Sequence, residues 1–323
     1  MIDAAADHIP VLRDEVLEYL AVQPGQTLVD CTVGLGGHAE AILEALQGSG
    51  MLIAIDRDLE ALKAAKERLG RKYPQASFYH ENFKNLPLIL TRLGIRAVDG
   101  CLLDLGVSSR QLDSPERGFS FRSEGPLDMR MDSEQRTTAA DLLSQLSEEE
   151  LAEIFRKHGE ERSAKRIAAA IVKERKKGPI RTTTQLADLV VRVKGKGSGR
   201  IHPATKVFQA LRIEVNQELA GLGSFLNQII LRLRKGGRLV TIAFHSLEDR
   251  IVKRCFQKAA GRCVCFRPDP LCTCPRKVLV RILTRKPVTA GPEESRRNPR
   301  SRSAKLRAVE KTAVSEFEMN GKE

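Results

Sequence analysis

The stretch TLVDCTVGLGGH, residues 27–38, joins a short β-rich run to a glycine-rich turn. The segment that follows, AEAILEALQ, has the composition of a helix, so the sequence predicts a strand–turn–helix unit here. Glycines in such a turn let the chain bend sharply and allow a ligand to approach the backbone closely. This turn is therefore the first candidate binding site.

Strands and helices continue to alternate after this turn. Met51–Ile55 is a second apolar run, and apolar residues at helical spacing follow between Leu59 and Leu69. Ser77–His80 is a weaker strand candidate, and Gly100–Leu105 reads as a buried strand. Alternation of this kind predicts an α/β fold with a parallel sheet that is covered by helices on both faces.

The alternation stops after the fourth strand. Arg117–Asp132 is rich in Gly, Ser and charged residues and is expected to form an ordered loop, whereas residues 138–193 have helical patterns. Ser147 and Glu150 have the spacing of a capping box at the start of one of these helices. The sequence therefore predicts an α/β domain that is interrupted by an all-helical insertion. The expected boundaries are 1–112 and 206–312 for the α/β domain, 113–205 for the insertion and 313–323 for a C-terminal tail.

Positive charge is concentrated in two regions of the 323-residue chain. The formal net charge is +13, with +11 between Arg156 and Lys206 and +9 between Arg276 and Lys311, so the rest of the chain is mildly acidic. Such regions are typical of proteins that bind RNA or DNA, although exposed helix faces can also carry charge for solubility. We expect the insertion, and the arm Arg296–Arg307, to contact RNA phosphates.

Composition also limits the class of protein. No stretch approaches the ~18 apolar residues of a membrane-spanning helix, and the acidic N-terminal segment is unlike a signal peptide. The odd number of seven cysteines favours a reducing compartment over a disulfide framework. We therefore expect a cytoplasmic protein with no membrane association, and nothing in the sequence indicates an obligate protein partner.

The glycine turn alone leaves the ligand open. Gly34 and Gly36 fit a dinucleotide fingerprint, and a tight turn without any ligand is also compatible with the pattern. Asp30 suits a cationic amino-acid group better than a pyrophosphate, which it would repel. Asp56 ends the second strand, where it can accept both hydroxyls of a ribose. Together these acids favour S-adenosylmethionine over NAD.

Long motifs along the chain then indicate a family. They are HIPVLRDEVLEYL, DCTVGLGGHAEAIL, AIDRD, LLDLGVSSRQLDSPERGFSFRSEGPLDMRMD, GEERSAKRIAAAIV, HPATKVFQALRIEVNQEL, FHSLEDRIVKR and NPRSRSAKLR, which together run from His8 to Arg307. In these motifs the chain resembles the ribosomal RNA small subunit methyltransferase H family, also called the MraW family. The resemblance implies a class I S-adenosylmethionine-dependent methyltransferase, with a Rossmann-like sheet and an inserted helical domain. It also implies methylation of the N4 amine of a decoding-centre cytidine in 16S rRNA.

The resemblance also implies a set of cofactor-binding residues. They are Gly36, Gly37 and His38 at the methionine end, Asp56 at the ribose, Phe83 beside the adenine, and Asp104 and Gln111 in the later loops. Core packing is the alternative role for Phe83, and helix capping is the alternative for Asp104. Arg110 stands where the family commonly has proline, which makes the placement of Gln111 less direct.

Methylation of a cytosine amine requires a group that orients the nitrogen, because its lone pair is delocalised into the ring. The sequence lacks the Asp/Asn-Pro-Pro-aromatic motif of many DNA amino-methyltransferases, so we expect Asp104 or a neighbouring backbone carbonyl to serve. Further polar or aromatic candidates each have a plain structural alternative. They are Gln209, Arg212 and Asn216 on one helix face, His245, Glu248 and Asp249 after a later strand, and Phe119 and Phe121 for base stacking.

Four cysteines in a late segment could hold a structural zinc ion. They are Cys263, Cys265, Cys272 and Cys274. Two C-x-C pairs can supply four thiolates, although C-x-x-C pairs are the usual form and four reduced cysteines in a loop are the alternative. Two other functions also stay open at this point, a non-catalytic RNA-binding or ribosome-assembly factor and an NAD-dependent oxidoreductase.

Overall fold

The computed structural model describes residues 10–195, 202–265 and 277–313. These residues fall into two units, which we call the sheet unit and the helical unit. The sheet unit consists of the described residues of Met1–Gly106 and Gly221–Glu323, and the helical unit is Val107–Ala220. Within the described part of the chain, no helix is both long and apolar enough to cross a membrane.

The strands form one sheet in the sheet unit. In chain order they are β1 (Thr27–Asp30), β2 (Met51–Asp56), β3 (Ala76–His80), β4 (Val98–Asp104), β5 (Leu233–Ala243), β6 (Val280–Ile282) and β7 (Lys305–Lys311). The order across the sheet is β3-β2-β1-β4-β5-β7-β6. The first five strands are parallel, whereas β7 is antiparallel to both β5 and β6. This sheet confirms the predicted class I, Rossmann-like α/β fold.

Helices occur in both units. They are α1 (Arg13–Leu20), α2 (Gly37–Ala45), α3 (Leu59–Leu69), α4 (Leu86–Arg92), α5 (Ser109–Asp113), α6 (Ala139–Gln145), α7 (Glu148–Gly159), α8 (Ala164–Arg175), α9 (Thr183–Lys194), α10 (Thr205–Asn216), α11 (Leu222–Arg232), α12 (Ser246–Ala259) and α13 (Pro292–Arg297). The predicted capping box is present, since the Ser147 side chain accepts from the Glu150 N–H and the Glu150 carboxylate accepts from the Ser147 N–H.

Both faces of the sheet are covered by apolar side chains. Ile53 and Ile55 of β2 belong to one apolar cluster, which also contains residues of α4, α11 and α12. Leu52 and Ala54 of the same strand belong to a second cluster, with residues of α1, α2 and α3. Successive side chains of a strand point to opposite faces, so an uninterrupted apolar run is what a doubly covered parallel strand requires.

The helical unit begins earlier and ends later than the expected 113–205. Helix α10 packs closely against α7, because Gly159 has no side chain: a Cβ there would lie 2.6 Å from the Lys206 carbonyl oxygen. Apolar residues of α10, such as Leu211, are buried in the core of the helical unit together with Phe155 of α7. Residues 206–220 therefore belong to the helical unit rather than to the sheet unit.

Candidate active site

Three aspartates lie at the carboxyl-terminal edge of the parallel sheet. Asp30, Asp56 and Asp104 are the last residues of β1, β2 and β4, which are neighbours in the sheet. Asp30 is fully buried, whereas Asp56 and Asp104 are half-buried. Ligands of open α/β sheets bind outside the carboxyl ends of the strands, so this edge is the candidate site.

Asp56 connects the end of β2 to the glycine turn. Its Oδ2 accepts a 2.7 Å hydrogen bond from the Gly34 N–H, and its Oδ1 accepts a 2.8 Å bond from the Asp58 N–H. Gly34 has a φ of +52°, and no atom lies within 4 Å of the position where a Cβ would stand. The turn is thus held against Asp56 while it leaves open space beside Gly34.

Gly36 and Gly37 have close protein neighbours instead of open space. A Cβ at Gly36, where φ is +86°, would lie 2.7 Å from Cδ1 of Leu69. A Cβ at Gly37 would lie 3.2 Å from Cβ of Pro10. These contacts explain both glycines by packing, and their expected contact with the methionine end of a cofactor stays a prediction.

Asp30 is a buried acid whose second oxygen has no hydrogen-bond partner in the described part of the chain. Its side chain accepts a 3.1 Å bond from the Thr32 N–H through Oδ1, while Oδ2 is unpartnered. Burial raises the pKa of Asp30 to about 7, and the negative charges of Asp104 and Asp56 add to this effect, against the Thr32 hydrogen bond. A buried carboxylate with an unused oxygen and like-charged neighbours favours a cationic ligand.

Asp104 is another acid at this edge of the sheet whose pKa is raised. Loss of hydration raises the pKa of Asp104 to about 7, and the charge of Glu248 acts in the same direction, whereas the Gly106 N–H opposes it. The Nε2 atom of the buried His38 lies 3.8 Å from Asp104 Oδ2. The two side chains are thus neighbours, and both are residues expected from the family resemblance.

Thr32 organises this edge and was not singled out from the sequence. Its Oγ1 accepts a 2.8 Å hydrogen bond from the Asp104 N–H, and its own N–H donates to Asp30. Thr32 thus holds the end of β4 beside the end of β1. The only signal in the sequence is its position two residues after Asp30, the acid that ends β1.

The contacts of Phe83 are those of a core residue. The side chain is buried, and its ring meets Phe225 edge to face with 4.9 Å between ring centroids. Phe83 lies in the apolar cluster that α4, α11 and α12 form on one face of the sheet. The packing alternative therefore describes its protein contacts, and stacking on an adenine stays a prediction.

Gln111 belongs to the helical unit, where it caps helix α5. Its Oε1 accepts a 3.0 Å hydrogen bond from the Ser108 N–H, and its N–H donates to Ser108 Oγ at 3.2 Å. This capping box orients the buried Gln111 side chain and starts the short helix. Its expected role in cofactor binding stays a prediction.

The polar side chains of α10 form hydrogen bonds and an ion pair with other residues of the helical unit. Gln209 donates to the His158 carbonyl, and Arg212 forms a two-point ion pair with Glu218. Asn216 donates a 2.7 Å bond to the Met129 carbonyl and accepts a 2.8 Å bond from the Met131 N–H. These partners account for the three residues structurally, so the expected contact with cofactor or RNA gains no support from them. Asn216 instead fixes the loop that was expected at Arg117–Asp132.

The aromatic residues of that loop are anchored on the helical unit. Phe119 is buried in its core. The Phe121 ring lies 4.7 Å from the Phe208 ring and 4.6 Å from the His202 ring. Their contacts match the anchoring alternative, and base stacking stays a prediction.

The residues after β5 also have structural partners within the sheet unit. His245 is the N-cap of α12, and Glu248 completes a capping box by accepting from the Phe244 and His245 N–H groups at 2.8 and 3.3 Å. Asp249 pairs with Arg307 of β7 at 2.6 Å. The helix-capping alternative is thus observed for His245 and Glu248.

The four-cysteine cluster lies only partly in the described residues. Cys263 and Cys265 are exposed, and Cys272 and Cys274 lie outside the described residues. The zinc site therefore stays a prediction. Cys101 of β4 and Cys31, which directly follows β1, are both buried, with their sulfur atoms 3.4 Å apart.

Comparison with known proteins identifies the family. The profile of the MraW methylase family matches residues 5–312. The chain is 53% identical over 311 residues to the ribosomal RNA small subunit methyltransferase H of Pelobacter propionicus, covering 95% of this chain and 99% of the relative. Relatives of the same name are 54% identical over 306 residues in Trichlorobacter lovleyi and 48% identical over 310 residues in Halothermothrix orenii, each covering 94% of this chain and 98% of the relative. The acidic strand ends and the glycine turn thus belong to an enzyme, and the chain is a member of the MraW methylase family of methyltransferases.

Proposed function

We propose that this enzyme transfers the methyl group of S-adenosylmethionine to the N4 amine of a decoding-centre cytidine in 16S rRNA. The names of the curated relatives support ribosomal RNA of the small subunit as substrate, and the resemblance of the motifs supports the cytidine amine. The observation that carries the proposal is the group of Asp30, Asp56 and Asp104 beside the open glycine turn. Action on rRNA also supports a cytoplasmic location.

The residues at this edge fit S-adenosylmethionine. Asp30 Oδ2 is a buried oxygen without a hydrogen-bond partner among the described residues, and the space beside Gly34 would be filled by a Cβ. S-adenosylmethionine has an ammonium and a sulfonium group, so a cluster of carboxylates attracts it. The pyrophosphate of NAD would be repelled by the same cluster.

The proposed binding roles follow the positions of the residues. Asp56 uses one lone pair of each oxygen for a backbone N–H and has others left for two ribose hydroxyls. The remaining cofactor contacts are proposed from the family resemblance. They are Gly36, Gly37 and His38 at the methionine end, Phe83 beside the adenine, and Asp104 and Gln111.

Bound S-adenosylmethionine supplies a methyl carbon that is activated by its positively charged sulfur. Transfer of this methyl group from the sulfur to N4 would leave the thioether and would require the amine to lose one proton. Asp104 accepts a hydrogen bond from the amine, which favours a pyramidal nitrogen and directs its lone pair at the methyl group. A pKa near 7 lets the same carboxylate take the released proton and return it to solvent near neutral pH.

Replacement of Asp104 by Asn tests this role. We expect methyl transfer to 16S rRNA in small subunits from cells that lack the enzyme to fall by about 100-fold or more, because the base is removed. Binding of S-adenosylmethionine, measured by calorimetry, should change far less than turnover. Asp14→Asn is the matched control, since the Asp14 side chain is 90% exposed.

Two results would count against the proposal. Near-normal turnover of Asp104→Asn would remove Asp104 as the orienting group. A wild-type chain that ignores saturating S-adenosylmethionine would support a non-catalytic RNA-binding protein instead. Mass analysis of rRNA nucleosides from cells lacking the enzyme identifies the methylated atom directly.

A further inference from the structure

A run of positive charge precedes the last strand of the sheet unit. The segment Arg296–Arg307, which we call the basic arm, contains six Lys or Arg residues and no Asp or Glu. It comprises the end of α13, a 3-10 turn at Pro299–Ser303 and the start of β7. The methylation chemistry proposed above does not use these residues.

The register of β7 places the basic arm at the edge of the sheet that carries the three aspartates. Lys305 pairs with Ala243, the last residue of β5. Because β7 is antiparallel to β5, the first residues of β7 lie at the carboxyl ends of the parallel strands. The arm therefore reaches the sheet on the side where the candidate active site lies.

The backbone around the basic arm is held in place by specific contacts. Glu294, just before the arm, accepts a 2.8 Å hydrogen bond from the Leu12 N–H. Pro10, two residues earlier, packs against Gly37 of the glycine turn. Ser301 and Ala304 of the arm are fully buried. A short chain of contacts thus connects the arm to the glycine turn, and its long side chains project from a fixed backbone.

The cations of the basic arm differ in how far they are neutralised. Arg307 pairs with Asp249 at 2.6 Å, Lys305 lies 3.7 Å from the same carboxylate, and Arg297 pairs with Glu293 at 2.6 Å. Arg296 and Arg302 are exposed and have no acidic partner among the residues that the structure describes. The Nε of Arg302 donates to the Ser295 carbonyl at 3.3 Å, which leaves its charge uncompensated.

We propose that Arg296 and Arg302 bind backbone phosphates of the RNA strand next to the target cytidine. This inference rests on the proposed function and adds the surface that positions the substrate. Guanidinium groups match phosphate oxygens in charge and geometry, and contacts of this kind fix the register of a nucleic acid without reading its sequence. Two uncompensated guanidinium groups on a fixed backbone at the active edge meet this requirement.

The test compares two double variants that remove the same charge from opposite edges of the sheet unit. R296A/R302A changes the basic arm, whereas R71A/K235A removes two exposed cations near the amino ends of β3 and β5. Binding of a 16S rRNA transcript is measured by filter retention between 50 and 300 mM KCl. Each lost phosphate contact should lower the slope of log K against log[salt] by about 0.7–0.9. If the affinities are equal at about 1 M salt, this change weakens binding at 0.1 M salt by about 5- to 8-fold.

We therefore expect R296A/R302A to bind the transcript about 25- to 60-fold more weakly at 0.1 M KCl and with a shallower salt dependence than wild type. The control should bind nearly as well as wild type, because its two cations lie near the opposite edge of the sheet unit from the proposed phosphate contacts. R296K/R302K should recover most of the affinity, because a lysine still contacts a phosphate as a point charge.

The proposal is overturned if R296A/R302A and R71A/K235A behave alike, or if the salt dependence of R296A/R302A equals that of wild type. A binding partner other than RNA at the arm would give this second result. The readout is independent of methyl transfer. If wild type binds RNA through the arm but transfers no methyl group, the proposed function fails while this inference stands.

Discussion

Replacement of Asp30 by Asn should make the protein more stable against unfolding and weaken its binding of S-adenosylmethionine. Asp30 has no exposed surface, and its Oδ2 has no hydrogen-bond partner within the described residues. The neighbouring charges that act on it, those of Asp104 and Asp56, are also negative. The folded chain therefore holds an ionised carboxylate here only at a loss of stability.

The size of this loss follows from the pKa of Asp30, which burial raises from 3.8 to about 7. At 1.36 kcal/mol per pKa unit, ionised Asp30 lowers the free energy of unfolding by about 4 kcal/mol above pH 7. Asn removes this loss. Its amide NH2 group would occupy the position of Oδ2 and would be buried without a hydrogen-bond acceptor among the described residues, which costs about 1–3 kcal/mol. We expect a net gain of about 1–3 kcal/mol at pH 8.

The raised pKa of Asp30 also determines how the stability of wild type changes with pH. Below pH 3.8 the Asp30 carboxyl is protonated in both the folded and the unfolded chain, so it does not affect stability. Between pH 3.8 and about 7 the unfolded chain ionises while the folded chain does not, so wild type loses stability as the pH rises. Above about pH 7 the loss is complete and stays constant. Asn does not titrate, so its advantage over wild type grows through the same pH range.

The assay is urea unfolding at pH 5 and pH 8 without cofactor, followed by calorimetric titration with S-adenosylmethionine at pH 8. The advantage of Asp30→Asn over wild type should rise by about 2–3 kcal/mol between the two pH values. Asp14→Asn is the control, because that acid is exposed and should show no such change. An advantage that is equal at both pH values, or an unchanged affinity for S-adenosylmethionine, would refute the reasoning.

Two further predictions follow from the glycine turn and from the loop of the helical unit. Gly34→Ala should fold with a loss of about 1–2 kcal/mol from its positive φ and lose affinity for S-adenosylmethionine in calorimetry. Gly36→Ala should lose more stability in urea unfolding, because its Cβ would also meet Leu69, and equal losses for the two variants would contradict this explanation. Asn216→Ala should lower the free energy of unfolding by about 2–3 kcal/mol, since it removes two buried hydrogen bonds that hold the loop. A loss below about 0.5 kcal/mol in the same urea assay would show that the loop is held by other contacts.

The sheet and the active edge could be predicted because their signals are local. Three of the five parallel strands, β1, β2 and β4, end in an acid, and the glycine turn follows the first of them directly. The capping box at Ser147 is equally local, since both of its partners lie within four residues. Sequence periodicity reports such features because strand and helix geometry bring near neighbours together.

The limits of the helical unit and the use of the α10 polar face depend on contacts between distant residues. Gly159 allows α7 to approach α10 at Lys206, and no periodic pattern within α10 shows which helix will cover it. Asn216 binds loop residues more than 80 positions away, so its spacing with Arg212 was equally compatible with RNA contact. The role of Phe83 could not be predicted either, because a single aromatic residue after a strand can face the core or a ligand.

The electrostatics of the active edge separate the two cofactors that the glycine turn alone left open. Asp30 sits among charges of its own sign, and the electrostatic strain is relieved when a positive group enters. A dinucleotide would bring a pyrophosphate to the same turn and increase the strain. S-adenosylmethionine would instead bring an ammonium and a sulfonium group, and negative carboxylates attract both. We therefore expect the burial of Asp30 that lowers the stability of the free protein to favour S-adenosylmethionine over a dinucleotide.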